Sequence, residues 1–143
     1  MEKEVTIYIK GTQVLPGGAE NGQQEVQELY VKGTCYRKNE KWYVFYEEDT
    51  GEAGSQPVKC ALRFTPEQLL ITRKGQVDSS LTLRPLEKTQ NLYRSPLGMM
   101  ELGCDTKVLR IQETDCEIVL YAEYGLELNG TYVSDNQVEI RIQ

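Results

Sequence analysis

Residues 118–142 read IVLYAEYGLELNGTYVSDNQVEIRI, and this stretch decides the fold. Ile118, Leu120, Ala122, Tyr124, Leu126 and Leu128 fall on every second position, so an extended chain presents all six on one face. Asn129-Gly130 follows, the dipeptide best suited to a type I′ turn, in which both central residues take positive φ. Val138, Ile140 and Ile142 then resume the alternation. The stretch is a β-hairpin, and the same two-residue period carries back through the rest of the chain.

Upstream of the hairpin, Met100, Leu102, Cys104 and Thr106 share a face, and Leu109 and Ile111 lie out of phase with them. One long strand therefore changes phase, and bends, near Thr106 or Lys107. Residues 87–95 form a more polar strand ending at Pro96-Leu97-Gly98, preceded by strands marked by Ser79, Leu81 and Leu83 and by Leu69, Ile71 and Arg73. Val58, Cys60, Leu62 and Phe64 alternate cleanly, and Thr65-Pro66-Glu67-Gln68, which resembles a helix capping box, is read as a turn because so few residues separate two strands. Lys41 to Glu48 is aromatic on both faces, through Trp42 and Tyr46 on one and Tyr43 and Phe45 on the other, so its inward side is ambiguous. Asp49 to Ser55 is a loop, Asn39-Glu40 a tight turn, and residues 24–37 a strand in which Val26 is out of step with Leu29, suggesting a bulge near Gln27 or Glu28. Val5, Ile7 and Ile9 open a first strand reaching about Leu15, before the breakers Pro16-Gly17-Gly18 and Asn21-Gly22.

About ten strands joined by short connections make an antiparallel meander. Such a sheet must hide its edges, and closing it into a barrel removes them, whereas a sandwich would need longer crossovers. The expectation is one all-β domain over residues 1–143, a closed antiparallel barrel of 8–10 strands.

The chain carries 16 basic and 22 acidic residues, a formal charge of −6. That balance disfavours nucleic acid and anionic membrane as partners, since both call for a basic surface. The sequence has no histidine, which removes the commonest general base and zinc ligand. Cys35, Cys60, Cys104 and Cys116 show no metal-ligand spacing and read as reduced, mostly buried thiols of a cytoplasmic protein. The N-terminus has no secretory pattern and no apolar run is long enough to span a membrane. Glu47 and Glu48 point to opposite faces, Ser79-Ser80 and Ser95 lack a histidine partner, and Lys74-Gly75 lacks a phosphate-loop spacing. The chain is therefore expected to be non-enzymatic, without metal or cofactor.

Several stretches carry a family resemblance: Tyr43-Val44-Phe45-Tyr46-Glu47-Glu48, Leu70-Ile71-Thr72-Arg73-Lys74-Gly75, Tyr93-Arg94-Ser95-Pro96-Leu97-Gly98, Leu102-Gly103-Cys104-Asp105-Thr106, the run from Tyr124 to Asn129-Gly130, and Val138-Glu139-Ile140. In order and over nearly the whole length, they resemble the YwiB-like bacterial domain of unknown function, with Ser95 and Leu97 standing where Thr and an aromatic are usual. The resemblance implies a calycin, or lipocalin-like, barrel and a bacterial cytoplasmic setting, and brings no activity.

A calycin barrel either fills its interior or leaves room for one small ligand, and the sequence does not choose. The inward set includes Trp42, Tyr46, Phe64, Met100, Leu120 and Tyr124, and nine tyrosines against two phenylalanines imply hydroxyls in need of partners. Arg73 shares the face of Leu69 and Ile71, so a guanidinium points into the barrel or across its rim. A charge there must be paired, with Glu48, or Glu47 if the strand bulges. Arg73 is thus either a latch or the receiver of a ligand carboxylate. Trp42, Tyr46, Arg73, Tyr93 and Tyr124 are the expected ligand-binding residues, and the ligand small and apolar or carboxylate-bearing. The alternative is a filled barrel acting as a structural or interaction module, pairing as a homodimer through outward Tyr30, Tyr36, Tyr43 and Phe45.

Overall fold

A computed structural model describes residues 2–15, 24–49, 54 and 56–143. The breakers at 16–18 and 21–22 and most of the loop at 49–55 lie outside the described residues. Ten strands follow one another: β1 (Lys3–Val14), β2 (Gln24–Lys38), β3 (Lys41–Glu48), β4 (Val58–Thr65), β5 (Gln68–Lys74), β6 (Asp78–Leu83), β7 (Lys88–Ser95), β8 (Gly98–Glu113), β9 (Ile118–Leu128) and β10 (Thr131–Ile142). Each pairs antiparallel with its sequence neighbours, and β1 pairs with β10 as well as β2, so the sheet closes. No described residue is helical.

The turns form where turn chemistry is strongest. Asn129 and Gly130 have φ of 49° and 86°, and Asn39 and Glu40 have 53° and 66°, so both hairpins use two consecutive left-handed residues. β8 shifts register between Thr106 and Val108, which brings Leu109 and Ile111 onto the inner side as their phase requires. The bulge expected near Gln27 is absent. β2 runs in unbroken register from Lys3–Cys35 to Val14–Gln24, so Val26 simply faces outward, 48% exposed. The aromatic strand resolves just as simply: Val44 and Tyr46 are buried, whereas Phe45 is exposed and Tyr43 stacks on Tyr36 at 4.9 Å on the outside.

The core is concentrated in one half of the barrel. Ile7, Cys35, Val44, Leu62, Phe64 and Leu69, with Leu83, Leu120 and Ile140, are at most 3% exposed and fill the end where β1 and β3 begin. Gly33 makes this packing possible, because a Cβ there would lie 2.3 Å from the Phe45 carbonyl oxygen and 2.8 Å from Ile7 Cδ1. A seam interrupts the wall between β6 and β7, whose ladder consists of Asp78–Arg94 and Ser79–Tyr93. Beyond these pairs Asn91 closes the gap: its Oδ1 accepts the Thr82 amide at 2.9 Å, and its Nδ2 donates to the Leu102 carbonyl at 3.3 Å.

Candidate functional site

The inward positions change character toward the end where β3 and β5 finish and β4 and β6 begin. One cross-strand row runs from Gly33 through Tyr46, Cys60, Arg73, Ser79 and Tyr93 to Met100, each the register partner of the next. Side chains in such a row stand close enough to interact. Arg73 Nη2 donates to Glu48 Oε2 at 2.5 Å, and the Cys60 thiol points to Glu48 Oε1 at 3.7 Å. The Arg73 side chain is 46% exposed and that of Glu48 22%, so the pair sits at the rim, not in the core. Of the two partners the sequence offers, Glu48 takes the guanidinium; Glu47 faces outward beside Lys59.

Behind this pair lies a cavity of about 580 Å³, within the range typical of small-molecule sites. Ile9, Leu62, Ile71, Leu81, Val138 and Ile140 form its apolar wall, and Tyr46, Glu48, Arg73 and Tyr124 give it polarity. Gly11 also lines it, with no atom within 4 Å of where a Cβ would stand. A smaller recess of about 170 Å³ shares Gly11, Gln27, Tyr124 and Val138 and adds the carboxamides Gln13, Asn136 and Gln137. There Gln13 Nε2 and Asn136 Nδ2 both donate to Ser134 Oγ, at 3.1 and 3.0 Å.

Burial holds the hydroxyl and thiol groups of this region neutral. Desolvation, with the Glu48 charge adding to it and Arg73 opposing, pushes the Cys60 thiol up to about 11. Desolvation alone takes Cys104 to about 11, and desolvation aided by Cys104 takes Tyr124 to about 12. Tyr46 is raised by burial as well. A thiol so raised is a poor nucleophile. No cluster suited to a metal ion occurs among the described residues.

Of the five residues expected from sequence, Tyr46, Arg73 and Tyr124 meet at the cavity. Tyr93 occupies the same row two strands beyond Arg73, half-buried, outside the described lining. Trp42 is inward but belongs to the filled half, where it stacks on Phe64 with ring centroids 6.5 Å apart and carries Arg37 over its ring. Sequence reasoning passed over Gly11, Gln27 and Asn136. Their signal is a small or polar residue at an inward position, in phase with Ile9, Leu29 and Val138 respectively.

No curated protein matches the chain. The solved structure described as the crystal structure of ywiB protein from Bacillus subtilis matches with a TM-score of 0.76 at 22% identity, covering 97% of this chain and 91% of that one, a likeness of fold. Residues 7–140 match the family described as Domain of unknown function (DUF1934), and the ten-stranded closed barrel developed above is therefore that of a member of this family.

Proposed function

We propose that the protein is a non-enzymatic carrier or sensor that binds a small, partly apolar molecule inside the barrel. The observation that carries this reading is the cavity of about 580 Å³, apolar in its wall and polar at Glu48 and Arg73. Ten strands enclose a wider interior than the eight that side chains can just fill, so one end stays hollow while the other is packed. Four free cysteines, three of them buried, fit a reducing bacterial cytoplasm as the place of work. Native mass spectrometry of the protein purified from its own host tests the proposal. A co-purifying small molecule, lost in a variant whose cavity is filled, is the expected result; a bare mass under conditions that preserve weak complexes counts against it.

A second reading, pairing of two copies, draws on the outer face of β1–β3. Tyr8 and Tyr30 lie 4.7 Å apart there, with Tyr30 71% exposed, and Tyr36 stacks against Tyr43 and Phe45. Sedimentation velocity separates the two readings. A dimer that dissociates in Tyr30→Ser would favour the interface.

A further inference from the structure

The charge arrangement at the mouth restricts what the cavity can accept. Arg73 is the single cationic side chain among the described lining residues, and Glu48 already engages it at 2.5 Å. A ligand carboxylate approaching Arg73 would either displace Glu48, leaving that side chain unpaired in a largely covered position, or lie beside it as a second anion. Both are costly in a partly desolvated site. A ligand ammonium at the mouth would have to sit next to Arg73, with Glu48 already committed, and the other lining carboxylates, Glu28 of the cavity and Glu25 of the recess, stand exposed, where an ion pair is screened by water and worth little. The uncharged polar groups left to a ligand are the carboxamide of Gln27, at the neck joining the recess to the cavity, and in the recess the carbonyl oxygen of Asn136, whose Nδ2 already donates to Ser134.

We infer that the site takes an uncharged amphiphile, an apolar chain or ring capped by a neutral hydrogen-bonding group of amide type, and that Glu48 is the residue that turns carboxylates away. This rests on the ligand-binding reading and narrows it. Glu48 acts as the internal counter-ion of Arg73, so the cation organises the mouth without recruiting an anion. Gln27 supplies a donor and an acceptor, and Asn136 a further acceptor, to a head group that offers both.

Calorimetric titration with octanamide, octanoate and octylammonium, matched in total carbon number, tests the inference on the wild-type protein and on Glu48→Gln. Wild-type protein is expected to bind octanamide about tenfold or more tighter than octanoate, the scale of one charge-assisted hydrogen bond denied to the anion. Glu48→Gln frees the guanidinium, so octanoate affinity should rise about tenfold while octanamide changes by less than about threefold. Should the variant not fold, the wild type alone decides. Octanoate or octylammonium binding wild type as tightly as octanamide overturns the inference and leaves cavity binding standing. An unchanged octanoate-to-octanamide ratio in Glu48→Gln does the same. If none of the three binds either folded protein, the inference falls together with the reading beneath it.

Discussion

Leu86 has φ of 62° and is 86% exposed, in a turn where the Glu87 amide donates to the Arg84 carbonyl at 3.1 Å. Pro85 before it and a left-handed residue in its place are the features of a type II turn, where glycine or asparagine is the natural occupant. A leucine side chain crowds the following carbonyl in that conformation and gains no burial for it. Leu86→Gly is expected to stabilise the protein by about 0.5–1 kcal/mol, after the greater freedom of glycine in the unfolded chain is offset. A higher urea midpoint at unchanged slope would show it. Buried acids make a second residue-scale prediction. Cys60, Cys104 and Tyr124 hold their protons up to about 11, 11 and 12, above the ordinary values of 9.0 for a thiol and 10.0 for a phenol. Because the unfolded chain releases these protons first, their contribution is intact below about pH 9 and disappears as the pH climbs toward 11–12. Denaturant midpoints measured at about pH 7, 8 and 10.5 should be nearly level over the first step and drop over the second. A flat profile would mean these groups are solvated.

At the scale of the strand, the weakest junction is β6–β7, where backbone pairing stops after Ser79–Tyr93 and Asn91 takes over. Asn91→Leu keeps the branched shape but strands the part-buried Thr82 amide and the buried Leu102 carbonyl. A loss of about 2–4 kcal/mol is expected, with hydrogen exchange quickening first at the amides of β6 and β7, since a seam held by side chains opens locally before the barrel does. A global loss with no local acceleration would show that the seam is not a separate unit. This junction also marks the limit of what strand patterning conveys. The β9–β10 hairpin and the bend of β8 are legible because alternation and turn chemistry are local properties of Ile118 to Leu128, Asn129-Gly130 and the phase change after Thr106. The bridging role of Asn91 is not, because it depends on how far two strands diverge across the barrel. The unneeded bulge at Gln27 has the opposite cause: Val26 is apolar yet faces solvent, so its phase misleads. Trp42 errs along the strand axis. Alternation says which side of the sheet a residue faces, not how deep in the barrel it lies, and so it could not distinguish the filled level of Trp42 from the hollow level of Tyr46.

The barrel as a whole is divided into a packed half that supplies stability and a hollow half that holds the candidate site, and Gly11 is the position at which the two demands can be separated. It stands inward between Ile9 and the rim, in register with Val138 and Gln27, lines both the cavity and its recess, and has no positive φ to restrict a replacement. A leucine there would extend into open space and cover apolar wall now exposed to the cavity. Such burial is worth up to about 1.5–3 kcal/mol for a full side chain, and the removal of glycine from a strand adds to it. Gly11→Leu is therefore expected to raise the melting temperature while abolishing retention of any co-purifying molecule and weakening octanamide binding about tenfold or more. Substitution at a site that evolution had merely left underfilled would stabilise without changing binding. A residue kept small for packing, as Gly33 is, would instead destabilise on enlargement, because its Cβ meets neighbouring atoms at once. Measuring stability and octanamide affinity on Gly11→Leu and Gly33→Ala together distinguishes these cases. If the cavity is the working part of the molecule, the first variant gains stability and loses ligand, and the second loses stability, by about 1–3 kcal/mol.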